Sequence, residues 1–317
     1  MSLPLLTCGL AGDLMLRTDL LAAGYTDKAI RHLVTTGQWV RIRSGAYTLA
    51  DAWKERPASE RHRLTARAVI AHAQTDLVLS HVSAAVEHEA TLWELPLDEV
   101  HVTRRDRRAG RREAAVRQHR GELVEGDVVE RNGVAVTSPT RTALDITTQT
   151  DVEHALVVID SLLHRGLTTP ELLADRYDSM YHWPDTLSTT LVLGLADGRS
   201  ESAAETRCRF LCWAHGIPAP IPNYEIRDDD GQLIARVDLA WPEHKTFLEF
   251  DGRIKYTYLL KPGESVTDVV LREKRREEWI WERLGWRCIR ITWADLQTPR
   301  ATAARIRRLL ERAGSPA

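Results

Sequence analysis

The chain has 317 residues, 43% of them hydrophobic and 28% charged, with a formal net charge of −2. That balance describes a globular protein with room for two or three cores, and it excludes nucleic-acid binding through bulk charge, so any such binding must come from local patches. No apolar run approaches the roughly 18 residues of a membrane span, and Met1–Leu10 lacks the basic start and apolar core of a signal peptide. The four cysteines, Cys8, Cys208, Cys212 and Cys288, form no C-x-x-C pair, so a cytoplasmic protein with reduced thiols and no membrane partner is expected.

Residues 14–50 carry the first compact pattern. Leu16–Gly24 reads as a short helix with a glycine stop. Thr26 is placed to cap a second helix over Asp27–Thr36, whose Ile30, Leu33 and Val34 form the buried face and which Gly37 ends. Trp39–Leu49 then reads as two strands around a Ser44-Gly45 turn. Helix, helix, hairpin is the order of a small winged helix. Lys28, Arg31 and His32 would face outward, where a recognition helix meets a DNA groove. Arg41 and Arg43 alternate with Val40 and Ile42 and would offer the wing's cations to phosphates. The bare pattern also suits a protein-contact module.

This segment resembles the N-terminal winged helix of AbiEi-family antitoxins of type IV toxin–antitoxin systems. The resemblance continues through Leu79-Ser80-His81-Val82-Ser83-Ala84-Ala85, Val100-His101-Val102-Thr103-Arg104 and Val134 to Asp145, roughly the first half of the chain. It implies binding of the operon's own promoter DNA, and it brings a toxin protein into view as a partner. The residues themselves support a mixed α/β module over 51–198, with helices near 59–73, 81–90, 140–147 and 152–164 and strands near 99–103, 115–119 and 127–137. Residues 168–198 read as a connector containing some helix.

Two features of this middle stretch are ambiguous. Between His101 and Arg120 lie eight arginines against Asp106 and Glu113, either a solvated loop or a phosphate-binding patch. His81, His101 and His119 fall on separate elements without ligand spacing, and read as polar core or surface histidines rather than metal ligands.

From about Ser200 the composition changes, and six of the ten tryptophans lie beyond that point. A third domain over 199–317 is expected, with its own core. Ser202-Ala203-Ala204-Glu205 resembles a capping box opening a helix that turns Phe210, Leu211 and Trp213 inward and stops at Gly216. Val237-Asp238-Leu239-Ala240-Trp241 and Phe247-Leu248-Glu249-Phe250-Asp251 alternate on either side of a Pro242 break, as a hairpin does. In the first run Val237, Leu239 and Trp241 would share one face, leaving Asp238 on the other. A turn centred on Glu243-His244 sets Asp238 across from Glu249 and Arg236 across from Asp251, with directly opposed Cβ atoms about 4.5–5.5 Å apart. Two carboxylates that close need a cation or a proton between them, and Mg²⁺ or Mn²⁺ fits oxygen ligands of this kind.

A helix over 266–284 follows, with Val266, Val270, Ile280 and Leu284 as its apolar stripe and Glu273, Glu277 and Lys274 in or beside it. A strand over Trp286–Thr292 and an amphipathic helix over Pro299–Ala313 close the chain. The C-terminal pattern, with Glu205, Asp238, Glu249 and Asp251, resembles the PD-(D/E)xK nuclease superfamily, in particular its very-short-patch-repair-like branch. That resemblance implies a restriction-endonuclease-like α/β domain and Mg²⁺-dependent phosphodiester hydrolysis. Asp238 and Glu249 would hold metal, Asp251 would add a ligand or position water, and Glu205 would approach from the first helix. The superfamily pattern asks for lysine where Asp251 stands, so Lys255 or Lys274 would have to supply the cation.

The expected molecule is thus a multidomain α+β and α/β chain, with a winged helix over 1–50, a mixed module over 51–198 and a nuclease-like domain over 199–317. Two functions remain open: a metal-dependent DNA endonuclease steered by its winged helix, or a non-catalytic antitoxin-like repressor whose last domain only binds DNA or a partner.

Overall fold

The computed structural model describes residues 13–106, 108, 110–180, 183, 185–251 and 279–313. The chain is a mixed α/β protein, with three sheets among the described residues, and it divides into two compact units. One unit comprises residues 1–158 and 166–194, the other 159–165 and 195–317.

The first unit opens with a three-stranded sheet, β1 (Met15–Leu16), β2 (Trp39–Arg43) and β3 (Ala46–Leu49), in the order β1-β3-β2. Between β1 and β2 lie α1 (Arg17–Ala22) and α2 (Asp27–Thr35). Thr26 Oγ1 accepts the Ala29 N–H at 3.2 Å, the cap expected of it. Ile30 is buried with Leu20 and Trp39, and Leu33 and Val34 pack against them. The β2–β3 turn falls at Ser44-Gly45, where Gly45 takes φ +73°.

After α3 (Ala50–Glu55) and α4 (Ala58–Ala71) comes a six-stranded mixed sheet in the order β6-β7-β5-β4-β9-β8. Its strands are β4 (Leu77–Leu79), β5 (Val100–Arg104), β6 (Arg112–Glu113), β7 (Val116–Arg120), β8 (Val128–Arg131) and β9 (Val134–Thr137). β5 runs antiparallel to β4 and parallel to β7. Leu79, Val102 and Val136 form the buried centre, covered by Ala66 and Val69 of α4 and Ala84 of α5 (His81–Glu87). Then follow α6 (Pro139–Thr147), α7 (Val152–His164), α8 (Pro170–Asp178) and α9 (Thr189–Leu195).

The second unit holds α10 (Ala203–Ala214) and a four-stranded sheet β10-β11-β12-β13. β10 (Ile221–Arg227), β11 (Leu233–Trp241) and β12 (Thr246–Phe250) form an antiparallel meander, and β13 (Arg287–Ile291) adds in parallel to β12. Residues 279–284 are helical, and α11 (Trp293–Leu296) and α12 (Pro299–Ala313) follow β13. One face of the sheet buries Leu239, Trp241, Leu248, Phe250, Ile289 and Ile291 against α10 and α12. The other buries Ala240 and Phe247 with Ile280 and Trp286.

Three sequence expectations are corrected here. Val237 does not share a face with Leu239 and Trp241, because it packs with Phe247 in the opposite cluster. The cause lies next door. The β10–β11 ladder pairs Pro222 with Leu239 and Tyr224 with Val237 but skips Asn223 and Asp238, and Asn223 sits in the left-handed region at φ +50°. Trp213 is 45% exposed, whereas Ala204, Cys208, Leu211 and Cys212, spaced as a helix stripe, face the core. Arg236 pairs in the ladder with Glu225, and its guanidinium meets Glu201, not Asp251.

Candidate functional site

The hairpin register is the one the turn at Glu243-His244 requires: Leu239 pairs with Leu248, Ala240 with Phe247 and Trp241 with Thr246. Continued one step, it sets Asp238 opposite Glu249. At that step the strands exchange a side chain for a backbone bond, since Asp238 Oδ2 accepts the Phe250 N–H at 2.7 Å. Glu205 lies close enough for the Asp238 charge to act on it. It is buried, and burial first, then the Asp238 and Glu201 charges, push its carboxyl above the usual range. Glu205 Oε1 accepts the Ser202 hydroxyl at 2.7 Å, and Oε2 accepts the Glu201 N–H at 2.9 Å and the Asn223 amide at 3.2 Å. The residue that kinks β10 therefore also holds Glu205 in place. Glu249 and Asp251 are half-buried on β12 and just beyond it, and Asp251 Oδ2 lies 4.0 Å from an Arg290 guanidinium nitrogen.

Asp238 and Glu205 thus lie near each other beside the β11–β12 pair, with Glu249 and Asp251 on β12 and just beyond it; among the described residues these carboxylates do not form a group of three whose oxygens all lie within 4.8 Å of one another. Lys255 and Lys274, the expected cations, lie outside the described residues, as do Glu273 and Glu277. The neighbouring thiols take no part in proton chemistry, because burial pushes Cys208 well up and Cys212 to about 12.

In the N-terminal segment of α1, α2 and the β1–β3 sheet, Lys28, Arg31, His32 and Arg41 are exposed. Arg43 is half-buried and donates from Nη1 to the Ala114 carbonyl at 2.9 Å, so it is already committed within the unit. The arginine-rich stretch is similarly engaged. Arg104 is buried against Asp106 and Gln118, Arg105 meets Asp76, Arg111 meets Glu113 and Arg112 meets Glu99, which leaves Arg117 and Arg120 exposed.

A further cluster has no signature in the linear sequence. β5 and β7 pair His101 with Arg117 and Thr103 with His119, which puts His101 and His119 two positions apart on one face. His81, at the start of α5, follows Ser80, whose N–H donates to the His101 carbonyl at 3.1 Å. The three rings meet: His101 Nδ1 and His119 Nε2 are 3.1 Å apart, and the His81 and His119 rings stack at 3.7 Å. Among the described residues this is the group whose potential ligand atoms all lie within 4.8 Å of one another. Beside it opens a pocket of about 560 Å³ that His81, His119, Thr103, Arg141, Asp145 and Trp183 help to line.

No family model matches the chain. It is 30% identical over 183 residues, 57% of its length, to "Uncharacterized protein MT2308" of Mycobacterium tuberculosis (strain CDC 1551 / Oshkosh). The same figures hold for "Uncharacterized protein Rv2248" of M. tuberculosis (strain ATCC 25618 / H37Rv). The match takes in 64% of each relative, so the chain spans a little under two thirds of the length of the curated relatives it matches.

The two clusters differ in chemistry. The carboxylate group offers oxygen donors alone, and a hard ion such as Mg²⁺ commonly takes one or two carboxylates and completes its shell with water and substrate phosphate. Asp238 and Glu249 carry oxygens of that class, and the register continued from Leu239–Leu248 sets them across the hairpin. The imidazole group offers nitrogen donors alone, which suits softer ions.

Proposed function

We propose that this chain is a DNA-binding protein whose second unit hydrolyses phosphodiester bonds with Mg²⁺ or Mn²⁺, at sites chosen by the winged-helix segment. The observation that carries this reading is the placement of Asp238. Its carboxylate sits at the one position the β10–β11 ladder skips between Pro222–Leu239 and Tyr224–Val237, bonded to the Phe250 N–H and close to buried Glu205, with Glu249 next in the β11–β12 register. The element order α10–β10–β11–β12–helix–β13 also supports the PD-(D/E)xK resemblance.

In this reading Asp238 and Glu249 hold the ion and Asp251 adds a ligand or orients water. The ion, when bound, supplies Lewis acidity and a more acidic water. Glu205, whose carboxyl burial pushes above the usual range, stands beside Asp238 and would bear on the charge balance of the site. The Phe250 N–H fixes one Asp238 oxygen and so aims the other. Lys255 or Lys274 steadies charge on the phosphate. On the DNA side, Lys28, Arg31 and His32 meet the groove and Arg41 the backbone.

The purified chain should nick or cut DNA with Mg²⁺ or Mn²⁺, and Asp238→Ala and Glu249→Ala should each abolish cutting with circular dichroism unchanged. Cutting that survives both substitutions refutes the assignment. A second reading, an antitoxin-like repressor without catalysis and with a toxin protein as partner, is favoured by one contact, the Arg290 guanidinium beside Asp251. Specific DNA binding without cutting in any divalent ion would select it.

A further inference from the structure

We infer that His81, His101 and His119 form a second metal site, for a borderline transition-metal ion of the Zn²⁺ class, open toward the pocket beside them. The site is independent of the carboxylate cluster and does not rest on the nuclease reading.

Three neutral imidazoles are a sufficient set for such an ion, with a fourth position left for water or a ligand. At Zn–N distances of about 2.0–2.1 Å, tetrahedral nitrogens stand roughly 3.3 Å apart. His101 Nδ1 and His119 Nε2 are at 3.1 Å, and all three ligand atoms lie within 4.8 Å of one another, so the third has at most about 1.5 Å to close. The stacked His81 and His119 rings must open slightly, because a ring nitrogen's lone pair lies in the ring plane. One of the two facing nitrogens of His101 and His119 carries the proton of their hydrogen bond. Ligation moves that proton to the ring's other nitrogen, and no proton need leave the imidazoles.

Four observations beyond proximity point to a ligand. First, His81 holds φ +51°, a left-handed conformation costing a non-glycine residue on the order of 1–3 kcal/mol, and strain of that kind collects at binding sites. Second, two buried polar atoms of pocket-lining residues, Asp145 Oδ2 and Thr103 Oγ1, have no hydrogen-bond partner. Asp145 Oδ2 stands 3.9 Å from His81 Nδ1, on the rim of the imidazole cluster. Third, the rings are shielded from bulk solvent, with His81 buried and His101 and His119 half-buried. Fourth, Arg141 in the pocket wall is bonded to Asp127 and Asp145, and Arg117, the cation beside His101, is exposed to solvent that screens its charge.

The test uses the full chain, stripped with a chelator and titrated with Zn²⁺ by calorimetry and with Co²⁺ by absorbance. One ion per chain is expected, with a Co²⁺ spectrum of tetrahedral nitrogen-rich ligation. Losing a partner that only orients a ligand costs about 10–100-fold in affinity, so His101→Gln and His119→Gln should each weaken Zn²⁺ binding by at least about tenfold. Asp238→Ala should leave this stoichiometry intact. Should a histidine variant fail to fold, imidazole ¹⁵N shifts of the unaltered chain read the same event, with three rings moving on Zn²⁺ addition. Absence of stoichiometric binding, affinity unchanged in both variants, or imidazole shifts indifferent to Zn²⁺ overturns the proposal.

Discussion

Arg141 is the residue on which the middle of the first unit turns. Its side chain is 1% exposed; Nε donates to Asp145 Oδ1 at 2.8 Å, and Nη1 donates to Asp127 Oδ2 and the Glu122 carbonyl, each at 2.7 Å. The guanidinium lies 4.2 Å over the Trp183 ring. Arg141→Met keeps much of the bulk and removes the charge. Asp127 retains Arg176, at 2.7 Å through two bonds, but Asp145 loses its cation. Breaking a buried pair on one side costs about 3–5 kcal/mol. Asp145 softens this by taking a proton, since burial, against the pull of Arg141, has raised it to about 6 even with the arginine present. The lower end, about 3 kcal/mol, therefore applies at pH 7. At 2–4 °C per kcal/mol for a domain of this size, the melting temperature should fall by roughly 6–12 °C. Arg141→Met combined with Asp145→Leu should recover most of the loss, because no charge is then stranded. The penalty of the single variant should also shrink at pH 5, where the stranded carboxyl is protonated. Calorimetry with chelator present reads all three quantities. A single variant that melts within about 1 °C of the parent would show that these carboxylates are solvated, and the account of the pocket wall would fail.

Two further outcomes follow from the same chain. Arg41→Ala should weaken DNA binding and lower the slope of log affinity against log salt by roughly one, while Arg43→Ala, whose guanidinium already serves the Ala114 carbonyl, should change the slope less. Equal binding by all three proteins at every salt concentration would assign the winged-helix segment to protein contacts. The ion-free chain should lose stability on acidification from pH 6.5 toward 4. His62, His81, His101 and His119 are all held below 6.5 in the fold, so the unfolded chain binds protons first, and each costs about 1.4 kcal/mol per pH unit within its window. Asp145 and Asp160, raised by burial to about 6, and Glu205, also raised by burial, act in the opposite sense, but three carboxyls do not cancel four imidazoles. A urea midpoint that stays level or rises between pH 7 and pH 5 would contradict that sign.

What could be read from the residues was whatever depends on local rules. The Thr26 cap, the Gly45 turn and the Ser202 cap each involve groups within a few positions of one another, and each is present, although Glu205 returns its bond to the Glu201 N–H rather than closing a full box on Ser202. The hairpin register was legible for a related reason: a short turn fixes the pairing of everything nearby. The kink at Asp238 was not, because its cause is Asn223, fifteen positions earlier on another strand and in a conformation that pattern does not announce. The exposure of Trp213 was missed through trust in side-chain size over helical spacing. Cys208 and Cys212, smaller but in phase with Ala204 and Leu211, took the core. The histidine cluster is the extreme case. His81, His101 and His119 converge only once β4, β5 and β7 are ordered in the sheet, and the parallel β5–β7 register has no short turn to reveal it.

The two clusters provide a way to separate the functional readings without cutting DNA. Carboxylate oxygens prefer hard ions and imidazole nitrogens prefer borderline ones, so Mg²⁺ and Zn²⁺ titrations of one sample report on different units of the chain. If Mg²⁺ protects residues of β11 and β12 from hydrogen exchange while Zn²⁺ protects β5 and β7, the donor sets act as their chemistry dictates. If Mg²⁺ leaves β11 and β12 untouched even with DNA present, Asp238 is there to bond Phe250 and hold the strands together, and the repressor reading gains. The kink itself decides which outcome is physically economical. A carboxylate whose only task was to satisfy one N–H could be replaced by the strand's own next carbonyl in an unbroken ladder. Here the β10–β11 ladder skips the Asn223–Asp238 pair before the same register resumes, and a second carboxyl, Glu205, is brought near the Asp238 charge and tied to Asn223. Like charges gathered at the expense of strand pairing are the arrangement a cation rewards.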